Sequence, residues 1–351
     1  MKRKRPSLVP PGPPAHIARV GDDSLPPGLS LDALHRAHTG IAGHVHRTPV
    51  QSSAFLGRSV GATVMLKCEN LQKTGSFKPR GALNRLLQLD ERLRRAGVVT
   101  VSAGNHAQAL AWAARTVGTR CTVVMPAGAS RAKVAASHGY GAEVVLHGTV
   151  FDAFDKAHAL AADRGLTFVH PFDDEHIVAG QASVGLELLE QVPDVTAVVV
   201  PIGGGGLISG VAAALKGERP SVRIIGVEPE GACAMRRSLD AGEPVRLDRV
   251  DTVADGLAPP MAGRLTYRVV RRYVDDVVTV RDEEILAAMR AIFSRTKLVV
   301  EPSGAAAVAA LLAGRVPVSP FDWVVAVLSG GNVPVERLGE LLGTAEGQEE
   351  G

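Results

Sequence analysis

Residues 195–215 run for 21 positions without a single charge, and inside that run stand Pro201 and four consecutive glycines, Gly203, Gly204, Gly205 and Gly206. The length would suit a membrane span. The proline and glycines would break such a helix, so the run divides into a buried strand, a turn and a helix. That unit recurs. Strand-length apolar runs at 63–67, 98–102, 122–125, 143–146, 197–200, 223–227, 277–280 and 323–328 alternate with helix-period segments at 31–41, 79–95, 105–117, 151–163, 183–191, 283–296 and 303–312. Gly97, Gly118, Gly165 and Gly314 follow four of these segments as C-terminal caps. Strand and helix in alternation specify an α/β architecture with mostly parallel sheets.

Apolar residues make up 46% and charged residues 21% of the 351, which excludes a disordered chain and a coiled coil, and the length suits about two domains. The net charge of +3 comes from residues 1–30, where Lys2, Arg3, Lys4, Arg5 and Arg19 stand among seven of the 22 prolines. This segment reads as a disordered basic tail. The remaining body is neutral, which argues against a nucleic-acid partner. Prolines rather than an apolar run follow the basic cluster, so neither a secretory signal nor a membrane partner is expected. Cys68, Cys121 and Cys233 are odd in number and lack ligand spacing, which excludes a disulfide framework and a zinc cluster and points to a reducing cytoplasm.

Ligands of open α/β sheets sit beyond the carboxyl ends of the strands, which singles out three junctions and one polar segment. At 198–210 a strand enters the four glycines and then a helix, so several backbone amides can converge on one anion, a phosphate cradle. Four glycines in a row exceed what helix–sheet packing needs. Neither the G-x-G-x-x-G spacing of a dinucleotide site nor a P-loop lysine is present, which counts against a dinucleotide-dependent oxidoreductase. At 101–110, Ser102, Asn105 and His106 suit a carboxylate, although a capped helix start with an exposed histidine would read the same way. At 328–332, Ser329 either turns its hydroxyl to a ligand or caps the next helix. In 67–82, Lys78 lies beside Phe77 at a helix start, where the dipole opposes an ammonium; it is either an amine nucleophile or a solvated surface lysine. A phosphate cradle, a carboxylate loop, a reactive lysine and a hydroxyl on a glycine turn together suit pyridoxal phosphate, an aldehyde that condenses with lysine and then with an amino acid.

Over residues ~31–340 the sequence resembles the fold-type II pyridoxal-phosphate enzymes, and within them the threonine/serine dehydratases, close to serine racemase. The matching stretches are Glu69-Asn70-Leu71-Gln72 with Ser76-Phe77-Lys78, then Ser102-Ala103-Gly104-Asn105-His106, Gly203 to Leu207, Glu301-Pro302-Ser303-Gly304-Ala305, and Ser329-Gly330-Gly331-Asn332. The resemblance implies two open, mostly parallel twisted sheets flanked by helices, as in the tryptophan synthase β chain. It implies a large cofactor-binding domain from 31–96 plus 174–340, a small mobile domain at 97–173, and a C-terminal tail at 341–351. Lys78 would be the Schiff-base lysine and the base at Cα, Phe77 would pack on the ring, Asn105 would bond the 3-hydroxyl, Gly203 to Leu207 would hold the phosphate, and Ser329 would face the pyridine nitrogen. Ser76, Ser102, Ala103, Gly104, Asn105 and His106 would surround the substrate carboxylate, and Glu301 would line the pocket. A homodimer or homotetramer is implied. The chain ends soon after the serine–glycine turn, so isoleucine feedback through a C-terminal regulatory domain is not expected.

Three departures from serine racemase matter. Ala103 stands where that enzyme has a second serine serving as base on the opposite face of the substrate, and Phe172 replaces the asparagine after its His-Pro pair. In the racemase cation site, Glu228 and Ala232 match but Ala234 replaces the aspartate, so a bound cation would be weak or monovalent. The implied reaction is β-elimination of L-threonine or L-serine to 2-oxobutanoate or pyruvate plus ammonia. The alternatives are a serine racemase and a dehydratase of another β-hydroxy amino acid.

Overall fold

A computed structural model describes residues 25–343. Ten strands form two sheets: β1 (Val50–Ser52), β2 (Thr63–Lys67), β3 (Val98–Val101), β4 (Cys121–Met125), β5 (Glu143–Leu146), β6 (Thr167–Phe168), β7 (Ala197–Pro201), β8 (Arg223–Pro229), β9 (Asp276–Val280) and β10 (Trp323–Val327). The six-stranded sheet has the order β1-β2-β10-β7-β8-β9 and the four-stranded sheet β5-β4-β3-β6. Only the β1–β2 pair is antiparallel. Every residue of β3, β4 and β7 is buried, and valine predominates in β3 and β7, as strands covered by helices on both faces require. Two open parallel sheets flanked by helices therefore match the expected fold class.

Strands β2, β4, β5 and β9 fall within a residue or so of the apolar runs, and the helix Asn105–Val117 has the expected bounds. The four glycines expected as caps all have positive φ, from +65° to +107°. The expected helix at 79–95 is two helices, Lys78–Leu87 and Glu91–Ala96, because the Asp90 carboxylate accepts from the Leu93 amide at 2.8 Å and starts a new turn. The helix expected from 183 begins at Glu175, capped by Asp174, and is buried without a break from Ile177 to Leu188. A helix apolar on all sides shows no 3.6-residue stripe.

Both tail boundaries need correction. Residues 1–24 lie outside the described residues, but 25–30 are built into the fold: Leu29 is buried with Leu34 and Ala37, and Ser30 caps the helix Leu31–Ile41. The expected tail at 341–351 also starts too early, since the helix Val335–Gly343 carries Leu341 and Leu342 onto the core. Residues 344–351 are not described. Among the described residues no helix is long and apolar enough to cross a membrane.

Candidate active site

The carboxyl ends of β3, β7 and β10 open on one cavity of about 970 Å³. From β3 come Ser102, Ala103, Gly104, Asn105 and His106; from β7, Gly203 to Leu207; after β10, Ser329. Phe77, Lys78 and Glu301 complete the expected lining. Ser76 stands just behind it, fully buried, paired by backbone with Gly330. Sequence motifs far apart along the chain are thus brought together by parallel topology alone.

Lys78 begins its helix and donates from Nζ to the Pro171 carbonyl at 2.9 Å, with the Phe77 ring centroid 5.1 Å away. Burial pushes its amine down to about 8. Asn105 donates from Nδ2 to Glu301 Oε1 at 2.7 Å. Burial pushes the Glu301 carboxyl up to about 7, with Asp255 adding to the rise and the bond from Asn105 and the charge of Lys133 opposing it. His106 is 3% exposed and both ring nitrogens lack a side-chain hydrogen-bond partner. It is therefore not the exposed histidine of a simple helix start. Burial, then the charges of Lys78 and His170, hold it well below its ordinary range.

The glycine loop is shaped by close approach. Gly205 has φ +90°, and a Cβ on Gly204 would stand 2.3 Å from the Phe172 ring. Among the described residues no backbone or side-chain acceptor pairs with the amides of Gly203, Gly204, Gly205 or Gly206. Thr266 Oγ1 donates to the Gly204 carbonyl at 2.7 Å, and Asp173 accepts from the amides of Arg264, Leu265 and Thr266. The strap from His170 to Asp173 therefore ties the glycine loop to the lysine. It escapes sequence reading because its short polar run has no periodicity.

A second feature escaped for a related reason. Arg80, fully buried, holds Glu69 through two bonds of 2.8 and 2.9 Å and Glu187 at 2.6 Å, while Lys67 reaches Glu187 at 2.5 Å. Charges so distant along the chain cannot be paired by inspection of the sequence. The Glu228 carboxylate, offered as a cation ligand, accepts from the amides of Met235 and Arg236 at 2.8 and 2.7 Å, and burial pushes it up to about 8. Ala232 lies buried nearby, and no group of three or more His, Cys, Asp or Glu is placed to hold a metal among the described residues.

The sequence profile of the pyridoxal-phosphate dependent enzymes matches residues 41–330. The chain belongs to that family. This pyridoxal-phosphate-dependent enzyme is 43% identical to the L-threonine ammonia-lyase of Thermotoga maritima, over 90% of this chain and 78% of that one. It is 41% identical to the catabolic L-threonine dehydratase of Escherichia coli K12, over 90% and 96%. Among solved structures, maize serine racemase matches with a TM-score of 0.85 at 40% identity, covering 89% of this chain and 96% of that one. A bacterial threonine deaminase, from T.th., matches with a TM-score of 0.82 at 43% identity, covering 87% and 99%.

The residues fit the family's cofactor. Four unpaired amides at a helix N-terminus suit a phosphate. Across the cavity stand an amine lowered by burial and the unpartnered polar atoms of His106 and Ser76.

Proposed function

We propose that the protein is a β-hydroxy amino acid ammonia-lyase acting on L-threonine and L-serine, and that Lys78 and the Ser102–His106 loop carry the reaction. The observation that supports it is one cavity in which a lysine amine lowered to about 8 faces both an unpaired glycine cradle and a loop with free polar atoms. When bound, pyridoxal phosphate supplies an electrophilic carbon for the lysine and then the substrate amine, and a sink for the electrons left at Cα. Lys78 Nζ holds the cofactor at rest and, once displaced, takes the Cα proton. Ser102, the amides after it and neutral His106 bind the substrate carboxylate, and desolvation keeps His106 a polar partner rather than a second charge. Ser329 presents a neutral hydroxyl to the ring nitrogen, which disfavours a persistent pyridinium and favours prompt departure of the β-hydroxyl. The Cβ–O bond breaks, the hydroxyl leaves with a proton as water, and the released enamine hydrolyses to a 2-oxo acid and ammonia.

The likeness to serine racemase makes racemisation the competing reading, and Ala103 weighs against it because a methyl group can neither give nor take a proton. The experiment is a near-visible spectrum of the purified protein followed by a 2-oxo acid assay over a panel of hydroxy amino acids. Cofactor absorbance with rapid 2-oxobutanoate or pyruvate formation is the expected result. Cofactor absorbance without 2-oxo acid from either amino acid would overturn the assignment.

A further inference from the structure

At the end of the serine–glycine turn, Asn332 makes two hydrogen bonds that the proposed reaction leaves unexplained. Its Nδ2 donates to the backbone oxygen of Thr74 at 2.6 Å and to Oδ1 of Asn105 at 2.8 Å. A backbone carbonyl only accepts, so the end of Asn332 turned to Thr74 has to be its NH₂. Both protons of that nitrogen are then committed. The atom of Asn105 facing Asn332 is consequently an acceptor, and the other end of the Asn105 amide is left as the donor that reaches Glu301. An amide's oxygen and nitrogen ends are nearly the same shape, so hydrogen bonding alone decides between them.

The place where Asn332 is pinned is itself strained. Thr74 has φ +58°, a left-handed value rare for a non-glycine residue, and Gly75 follows at +74° just before Ser76-Phe77-Lys78. A Cβ on Gly75 would stand 2.4 Å from Asn332 Oδ1, so glycine is what admits the asparagine.

We propose that Asn332 is a positioning residue: pinned by the Thr74 carbonyl, it fixes the Asn105 amide with its NH₂ toward Glu301 and the cavity. The inference rests on the reading of the cavity as a pyridoxal-phosphate site in which Asn105 faces the ring hydroxyl. A fixed donor there favours the ionised oxygen. A flipped amide would offer an acceptor and favour the protonated one. The flip would act on Glu301 in the same sense, since a carboxylate accepts from NH₂ but only the acid form donates to an amide oxygen. The charges facing Glu301 are Asp255, which raises it, and Lys133, which lowers it.

The test uses holoenzyme with Asn332→Asp and Asn332→Ala, titrating against pH the two absorbance bands of the ionised and neutral ring oxygen, with thermal melting as the fold control. A carboxylate cannot donate, so Asn332→Asp draws the Asn105 NH₂ toward itself. Its titration midpoint should rise by about one pH unit. Asn332→Ala leaves both orientations open and should shift less, in the same direction. A wild-type midpoint in Asn332→Asp, or equal shifts in the two variants, overturns the proposal. If Asn332→Asp does not fold, Asn332→Ala decides: an upward shift supports it and a wild-type midpoint overturns it. Absence of cofactor absorbance in the wild type defeats the reading of the site together with this inference, whereas normal cofactor binding with unshifted variants defeats the inference alone.

Discussion

Lys78 has a carbonyl partner in Pro171 and, among the described residues, no counter-ion, so burial acts on its charge unopposed. The neutral amine is the form that captures an aldehyde. In cofactor-free protein, the rate of pyridoxal-phosphate capture should rise about tenfold per pH unit below about 8 and level off above it, as followed by stopped-flow absorbance. A plateau reached only near the ordinary lysine value of 10.5 would contradict that environment. Ala103 sets the second residue-scale expectation. Wild-type protein should form 2-oxo acids from L-serine with negligible D-serine, and Ala103→Ser should introduce a trace of racemisation, measured by chiral chromatography. D-serine produced as fast as pyruvate by the wild type would place the enzyme with the racemases. Residues at the ends of strands were legible from sequence because strand–loop–helix junctions mark them. Asn332 and Phe172 were noticed as motif members without their contacts, since Thr74, Asn105 and Gly204 approach them only through the fold.

At the scale of elements, the helix Lys78–Leu87 is held at its first turn by Arg80, whose guanidinium lies between Glu69 and Glu187. Removing one member of a buried charge cluster strands the others. Arg80→Met should cost about 3–5 kcal/mol in denaturant unfolding. A loss below about 1 kcal/mol, the range of exposed pairs, would show that the cluster is solvated. Burial raises the Glu69 carboxyl, but the Arg80 charge and bonds override it and hold it below its ordinary 4.5. A depressed acid stabilises the fold fully above its unfolded value, and that stability is lost as pH falls through the folded one. The sequence exposed the alternation of strands and helices because apolar periodicity is local. It hid β1 and β6, of three and two residues, and the first turns of Glu175–Gln191, where burial on every side erases the stripe.

For the whole molecule, the cavity lies between a four-stranded sheet drawn from residues 98–168 and a six-stranded sheet drawn from both flanking stretches. Two contacts cross its mouth: Lys133 pairs with Asp255 at 2.9 Å, and Arg246 lies 4.2 Å from the Phe151 ring centroid. We propose that residues 97–173 close on substrate as a unit through such contacts. Lys133→Ala breaks an exposed pair, so KM for threonine should rise about 2- to 5-fold while kcat stays within about twofold. A fall in kcat with KM unchanged would assign Lys133 to the chemical step instead. The same geometry decides which lysine serves the cofactor. Lys67 is fully buried on Glu187 and Lys73 does not line the cavity, while Lys78 reaches it beside the glycine loop. Borohydride reduction of the holoenzyme followed by peptide mapping tests this directly: the reduced cofactor should be found on Lys78, with loss of threonine turnover in proportion, and a label on Lys67 or Lys73 would contradict it.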